Sequence, residues 1–199
     1  MSHQLTVFFE SHSNTDTQPY YRISDKSYRL SVLLDQQGLK QGWTIEIDPP
    51  NNYLIVNYKN DKRFGHGYLV QNRFKVFNAE FDGTDLVRIK PIPTTQKEVT
   101  NERYRFEGAV YNGMPYGYGQ LYSIKSYAQL YSGLVIEWKR FGFGSSYFSF
   151  GIVEYCGYWV DDMWHGSSVM HTTKEMYKRE WCFGLSLGKY VVYKNNGAF

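Results

Sequence analysis

The chain is expected to be all-β: an elongated single-layer antiparallel sheet of consecutive hairpins, preceded by an irregular β-rich cap. Three observations lead there. Tyr and Phe are abundant, with 19 and 13 copies, which favours strands over helices. Eighteen glycines against six prolines point to many tight turns. One stretch, residues 106–122, alternates as a strand does, turns at Asn112-Gly113, and recurs along the chain in one register.

Residues 1–53 form the expected cap. Residues 5–9, 28–34 and 43–47 are short β-like runs, and residues 11–18 read as a polar loop. Gln37-Gly38 and Gln41-Gly42 are turn signals, and residues 48–52, with two prolines and two asparagines, are a break. Residues 28–43 are either part of this cap or a decayed copy of the hairpin.

From residue 54 to 199 the hairpin returns in about six units. They begin at Leu54, Phe77, Phe106, Tyr131, Tyr155 and Tyr177. The fifth position is again apolar or aromatic: Tyr58, Phe81, Val110, Val135, Trp159 and Trp181. The third is small in four units, at Ala79, Gly108, Gly133 and Gly157, but is Val56 or Arg179 in the others. Eleven residues after the start stands Gly65, Gly117, Gly142, Gly166 or Gly188, with Arg88 the exception. Positions one, three and five share a strand face, so aromatic rings flank a small residue into which a ring of the neighbouring unit can pack. Asn60-Asp61, Asn112-Gly113, Asp161-Asp162 and Phe183-Gly184 sit where two-residue turns belong; Glu137-Trp138 and Gly83-Thr84 are less conventional. Residues 91–105, rich in Pro, Thr and charge, read as a lengthened connector. At two strands per unit, six units extend a sheet by about 58 Å.

The pattern aromatic-x-Gly-x-aromatic-x-Asn-Gly-x-x-x-Gly-x-Gly resembles the MORN (membrane occupation and recognition nexus) repeat. Residues 106–119 and 59–67 carry the likeness best, 131–144 and 155–166 carry it well, and 77–90 and 177–190 are degenerate. The resemblance implies a meandering sheet of hairpins. Such repeats occur in cytoskeletal scaffolds, membrane-junction proteins, lipid-kinase regulatory regions and proteins of large DNA viruses. A cytoplasmic, cytoskeleton- or membrane-associated setting, or the particle of such a virus, follows as an expectation.

Sites for chemistry are few. His66 and His165 abut glycines of the repeat, and with His171 they are expected to bond locally within the sheet. Asp161 and Asp162 fall at a hairpin turn, where Asp is favoured for backbone reasons. Cys156 and Cys182 lie in adjacent units at positions too far apart for a disulfide. No phosphate-binding loop, nucleophile elbow or paired Cys-x-x-Cys is present. No enzyme activity, cofactor or metal is expected. The formal charge of +3 is too small to argue for nucleic acid by itself, and no nucleic-acid partner is expected. No apolar run reaches the length of a membrane span, residues 1–10 lack a signal-peptide pattern, and an intracellular, reducing compartment is expected.

The expected function is therefore structural: a scaffold that binds other proteins or itself. A single layer exposes its aromatics, so Phe106, Tyr131, Tyr155, Trp159, Tyr177 and Trp181 form the candidate interaction face. The last strand, with Tyr190, Val191, Val192 and Tyr193, is a candidate edge for strand addition. Lys59, Lys62 and Arg63, clustered at the first hairpin turn, are candidate contacts to anionic lipid, which gives the alternative of a phosphoinositide- or membrane-surface-binding module.

Overall fold

Alternating apolar positions and turn-forming pairs make hairpins, and a chain of hairpins lays each strand beside its predecessor. The computed structural model describes residues 19–20, 28–29, 32–48, 52–72, 75–83, 85–172 and 175–194. Among these it contains strands, turns and bends but no helix. The β-like run at 5–9 and the polar stretch 11–18 lie outside the described residues, as do 49–51 of the expected break and Thr84 of one expected turn.

The first sheet holds β1 (Pro19–Tyr20), β2 (Tyr28–Arg29), β3 (Val32–Leu34), β4 (Lys40–Asp48), β5 (Asn52–Lys59), β6 (Lys62–Arg63), β7 (Gly65–Gln71), β8 (Lys75–Asp82) and β9 (Asp85–Pro91). The second holds β10 (Thr95–Thr100), β11 (Tyr104–Tyr111), β12 (Met114–Ser123), β13 (Gln129–Ile136), β14 (Lys139–Tyr147), β15 (Val153–Val160), β16 (Met163–His171), β17 (Glu175–Cys182) and β18 (Leu185–Lys194). The second is a pure meander, each strand pairing antiparallel with the next. In the first, β4 pairs with β5 from Gly42↔Tyr58 to Asp48↔Asn52, so residues 40–48 and the first repeat share one sheet.

Five two-residue turns close hairpins at one end of these sheets. Asn60-Asp61, Asn112-Gly113, Glu137-Trp138, Asp161-Asp162 and Phe183-Gly184 all have positive φ at both positions, the requirement of a type I′ turn. Even Glu137 and Trp138 accept it, because the flanking strands impose the twist. Backbone bonds then tie tip to tip. The Asp61 amide donates to Lys40 O, Glu137 to Pro115 O, Asp162 to Arg140 O and Gly184 to Trp164 O. Lys40 holds the place on β4 that Arg140 and Trp164 hold in later units. The 35–40 turn thus behaves as a unit of the same stack.

The expected continuous layer is divided into two sheets, and the change falls at residues 92–94 inside the connector. The sheets meet over a shared core. Ile45, Tyr53, Ile55, Val70 and Val76 of the first pack with Leu134, Ile136, Phe141 and Val160 of the second. The physical cause is the apolar run Leu134-Val135-Ile136: one face of β13 carries repeat residues, and the other is apolar too and must be covered. Tyr53 crosses the interface to hydrogen-bond the Tyr118 hydroxyl.

Candidate functional site

The repeat rings are organised by a line of small residues running across the second sheet. Gly108 pairs with Gly119, Gly119 with Gly133, Gly133 with Gly144, Gly144 with Gly157, and Gly157 with Ser168. Phe106 lies over Gly108 and Gly119, Tyr131 over Gly133 and Gly144, and Tyr155 over Gly157. Each ring thus comes from its own unit rather than from the neighbour, because a ring at position one reaches along its strand onto position three and the residue paired with it. A Cβ at Gly119 or Gly144 would fall on the ring itself.

The rings also touch one another. Trp159 stands edge-on to Tyr131 at 5.4 Å and to Tyr155 at 4.9 Å, and Trp164 stacks on Tyr155 at 4.9 Å. Arg140 lies 4.1 Å from the Trp159 ring centroid, held there by Nε donating 2.7 Å to Asp162 Oδ1 and by its backbone amide donating to the same oxygen.

This packing corrects the expected interaction face. Phe106, Tyr131, Tyr155, Trp159 and Trp181 are buried, and Tyr177 is half-buried. They are core, because glycine seats let the rings lie flat and cover each other. The phenols register this burial: desolvation raises the pKa of Tyr131 and Tyr53 well above 10, and that of Tyr155 in the same direction. The Cys182 thiol is pushed up to about 12 by burial.

Among the described strands, β18 ends the second sheet and pairs only with β17. Tyr190, Val191 and Val192 are exposed, with Val191 at 53%. Tyr193 is on the same strand, opposite Met176. Tyr190 packs against Tyr177 at 5.7 Å and beneath the Arg179 guanidinium at 4.5 Å. Arg179 stands where better repeats carry glycine, so this unit has a cation and Tyr190 in place of a ring on a glycine. The ends at β9 and β10 differ: Arg88 and Lys90 interrupt the one, Lys97 and Glu98 the other, and charge discourages strand addition. β18 carries Lys189 and Lys194, but the four residues between them, Tyr190 to Tyr193, are uncharged.

The three candidate lipid contacts separate. Lys59 and Lys62 are exposed, Lys59 placing its ammonium over the Phe64 ring at 5.3 Å. Arg63 turns away into an ion pair with Glu46 at 2.5 Å, beside the Tyr58 hydroxyl that bonds the same carboxylate. Among the described residues, only two of the three cations therefore lack a carboxylate partner at this tip.

Other polar groups are used within the fold. His165 is fully buried, edge-on to Phe183 at 4.9 Å, with Nδ1 accepting the Phe183 amide. Asp161 pairs with Lys139 at 2.5 Å and Asp162 with Arg140. His66 is exposed. Among the described residues no group of three or more His, Cys, Asp or Glu is placed to hold a metal ion. Cys156 and Cys182 are free thiols. An open groove of about 480 Å³ between β10 and β12 is lined by Gln96, Glu98, Glu107, Tyr118 and Gln120, with Arg105 tying Glu98 to Glu107. No helix among the described residues is long and apolar enough to cross a membrane. No family model matches the chain, and no curated protein matches it in sequence.

Proposed function

We propose that this chain is a non-enzymatic scaffold of MORN-type hairpins that assembles with other proteins, or with further copies of itself, through the edge of β18. The setting proposed is a cytoskeletal structure or the particle of a large DNA virus, and neither a cofactor nor nucleic acid enters the reading. The observation that carries it is the uncharged run Tyr190-Val191-Val192-Tyr193 on the end strand of the second sheet, with exposed side chains at its first three positions. Such a strand offers unpaired backbone groups to another strand, while its side chains on both faces supply apolar area. The buried ring row has a supporting role: Trp181 of β17, the strand that β18 pairs with, is packed into it.

Sedimentation velocity over a concentration series, with pull-down from the source extract, tests this. The wild type is expected to self-associate or to recover a partner, and Val191→Glu to do neither. Glutamate at 191 lies opposite Lys178, so the fold tolerates it while the edge gains a charge. A strictly monomeric wild type that captures nothing would sink the proposal.

A further inference from the structure

We propose that the loops closing β12–β13 and β14–β15 form a lipid-insertion tip, in which Phe148, Phe150 and Ile152, with Tyr127 alongside, enter the interfacial zone of a bilayer. The site is separate from β18 and from the Lys59–Lys62 turn, and it does not rest on the scaffold reading.

Exposure marks the place. Phe150 is 89% exposed, Tyr127 77%, Ile152 55% and Phe148 41%. Single exposed apolar side chains are ordinary, but four on two neighbouring tips are not. The tips are neighbours because Tyr131 of β13 pairs with Ser146 of β14. The two loops therefore leave the same end of the sheet, about 10 Å apart by the spacing of two strands.

The chemistry suits lipid. From residue 141 to 153 there is no charged side chain, and the next carboxylate, Glu154, accepts a bond from Ser146 Oγ at 3.0 Å. Insertion of the β14–β15 loop thus carries no ion of its own into hydrocarbon. The β12–β13 loop, whose Ile124 amide donates to Arg103 O, lies beside the exposed charges of Glu102 and Arg103 and sits at headgroup depth. The loop backbones bond internally: Phe148 N to Ile152 O and Gly151 N to Phe148 O, both at 2.9 Å, and Ser123 N to Ala128 O and Tyr127 N to Ser123 O, also at 2.9 Å. Backbone groups already paired enter an apolar medium at least cost. Tyr127 has the amphipathic ring favoured at headgroup depth, and exposed Lys125 on the same loop can keep its ammonium in water. A protein partner is the weaker fit, since Ser149 alone among residues 148–152 has a polar side chain with which to fix an orientation.

Flotation with phosphatidylcholine vesicles, and separately with vesicles containing phosphatidylserine, is the test. The wild type is expected to float with both and to stay bound at high salt. Phe148→Ser combined with Phe150→Ser should lower the bound fraction about tenfold or more, because affinity follows the apolar area inserted. Phe150→Trp should retain binding and show fluorescence quenched by brominated lipid. Circular dichroism checks that each variant is folded. The proposal is overturned if the wild type does not float, or if the tip variants float as well as it does. It is equally overturned if binding requires anionic lipid and is lost with salt or in Lys59→Ala/Lys62→Ala, or if the tip instead drives self-association without lipid.

Discussion

Glycine does two different jobs here, and alanine substitution separates them. At Gly113 a Cβ meets nothing within 4 Å, but φ is +74°, so the cost is backbone strain of about 1–2 kcal/mol. At Gly144 a Cβ would collide with the Tyr131 ring, and the ring has little room to retreat with Trp159 edge-on to it at 5.4 Å. Overpacking of this kind costs about 1–3 kcal/mol, or roughly 2–12 °C in Tm for a chain of this size. Thermal melts are expected to show that Tyr131→Leu recovers stability in the Gly144→Ala background and not in the Gly113→Ala background. Recovery in both, or in neither, would mean the ring does not sit on the glycine. The glycines' role was legible in the sequence, where their spacing from the aromatics repeats; which ring covers them was not. A two-residue reach along one strand and a step to the next unit leave the same trace in the spacing, and only register tells them apart.

The hairpins are joined at their tips as well as along their strands. Asp162 is the clearest joint, because Oδ1 accepts both the backbone amide and Nε of Arg140 while its own amide donates to Arg140 O. Asp162→Ala removes the first two bonds from a half-exposed site, for an expected loss of about 1–2 kcal/mol. Hydrogen exchange should show the Arg140 amide opening faster in that variant, while the Glu137 amide, bonded to Pro115 O, keeps its protection. Unchanged exchange at Arg140 would count against the joint. Most elements here could be foreseen, and β10 could not. Thr95-Gln-Lys-Glu-Val-Thr100 is exposed along almost its whole length, so it lacks the apolar alternation that identifies a strand and passes for a connector. The division into two sheets was present in the sequence but easily passed over: Leu134 and Ile136 are apolar on the face the repeat pattern does not use. Phe150 was hidden for a related reason, since a phenylalanine between two strands looks like any other ring until its exposure is known.

At the scale of the whole molecule, buried phenols occur in both cores, Tyr53 in the one the two sheets share and Tyr131 and Tyr155 in the ring row of the second sheet. Burial raises the pKa of Tyr53, Tyr131 and Tyr155 above the ordinary 10.0, and that of Tyr68 to about 12. The folded chain holds these protons after the unfolded chain has released them. Stability is therefore indifferent to these groups below pH 10 and falls as pH rises above it. Absorbance of tyrosinate should show a late, cooperative step coincident with loss of the β-sheet signal; gradual ionisation with the fold intact would place these phenols in solvent. On β18 the run Tyr190 to Tyr193 is uncharged between Lys189 and Lys194, and assembly through that run is what the proposed function stands on. Its most direct measurement is backbone hydrogen exchange at β18 as protein concentration rises, or as a captured partner is added. Amides of residues 190–193 are expected to gain protection in the assembled wild type, with the β14–β15 loop unchanged, and to gain none in Val191→Glu. Assembly that leaves those amides exchanging at their dilute-solution rate would contradict it.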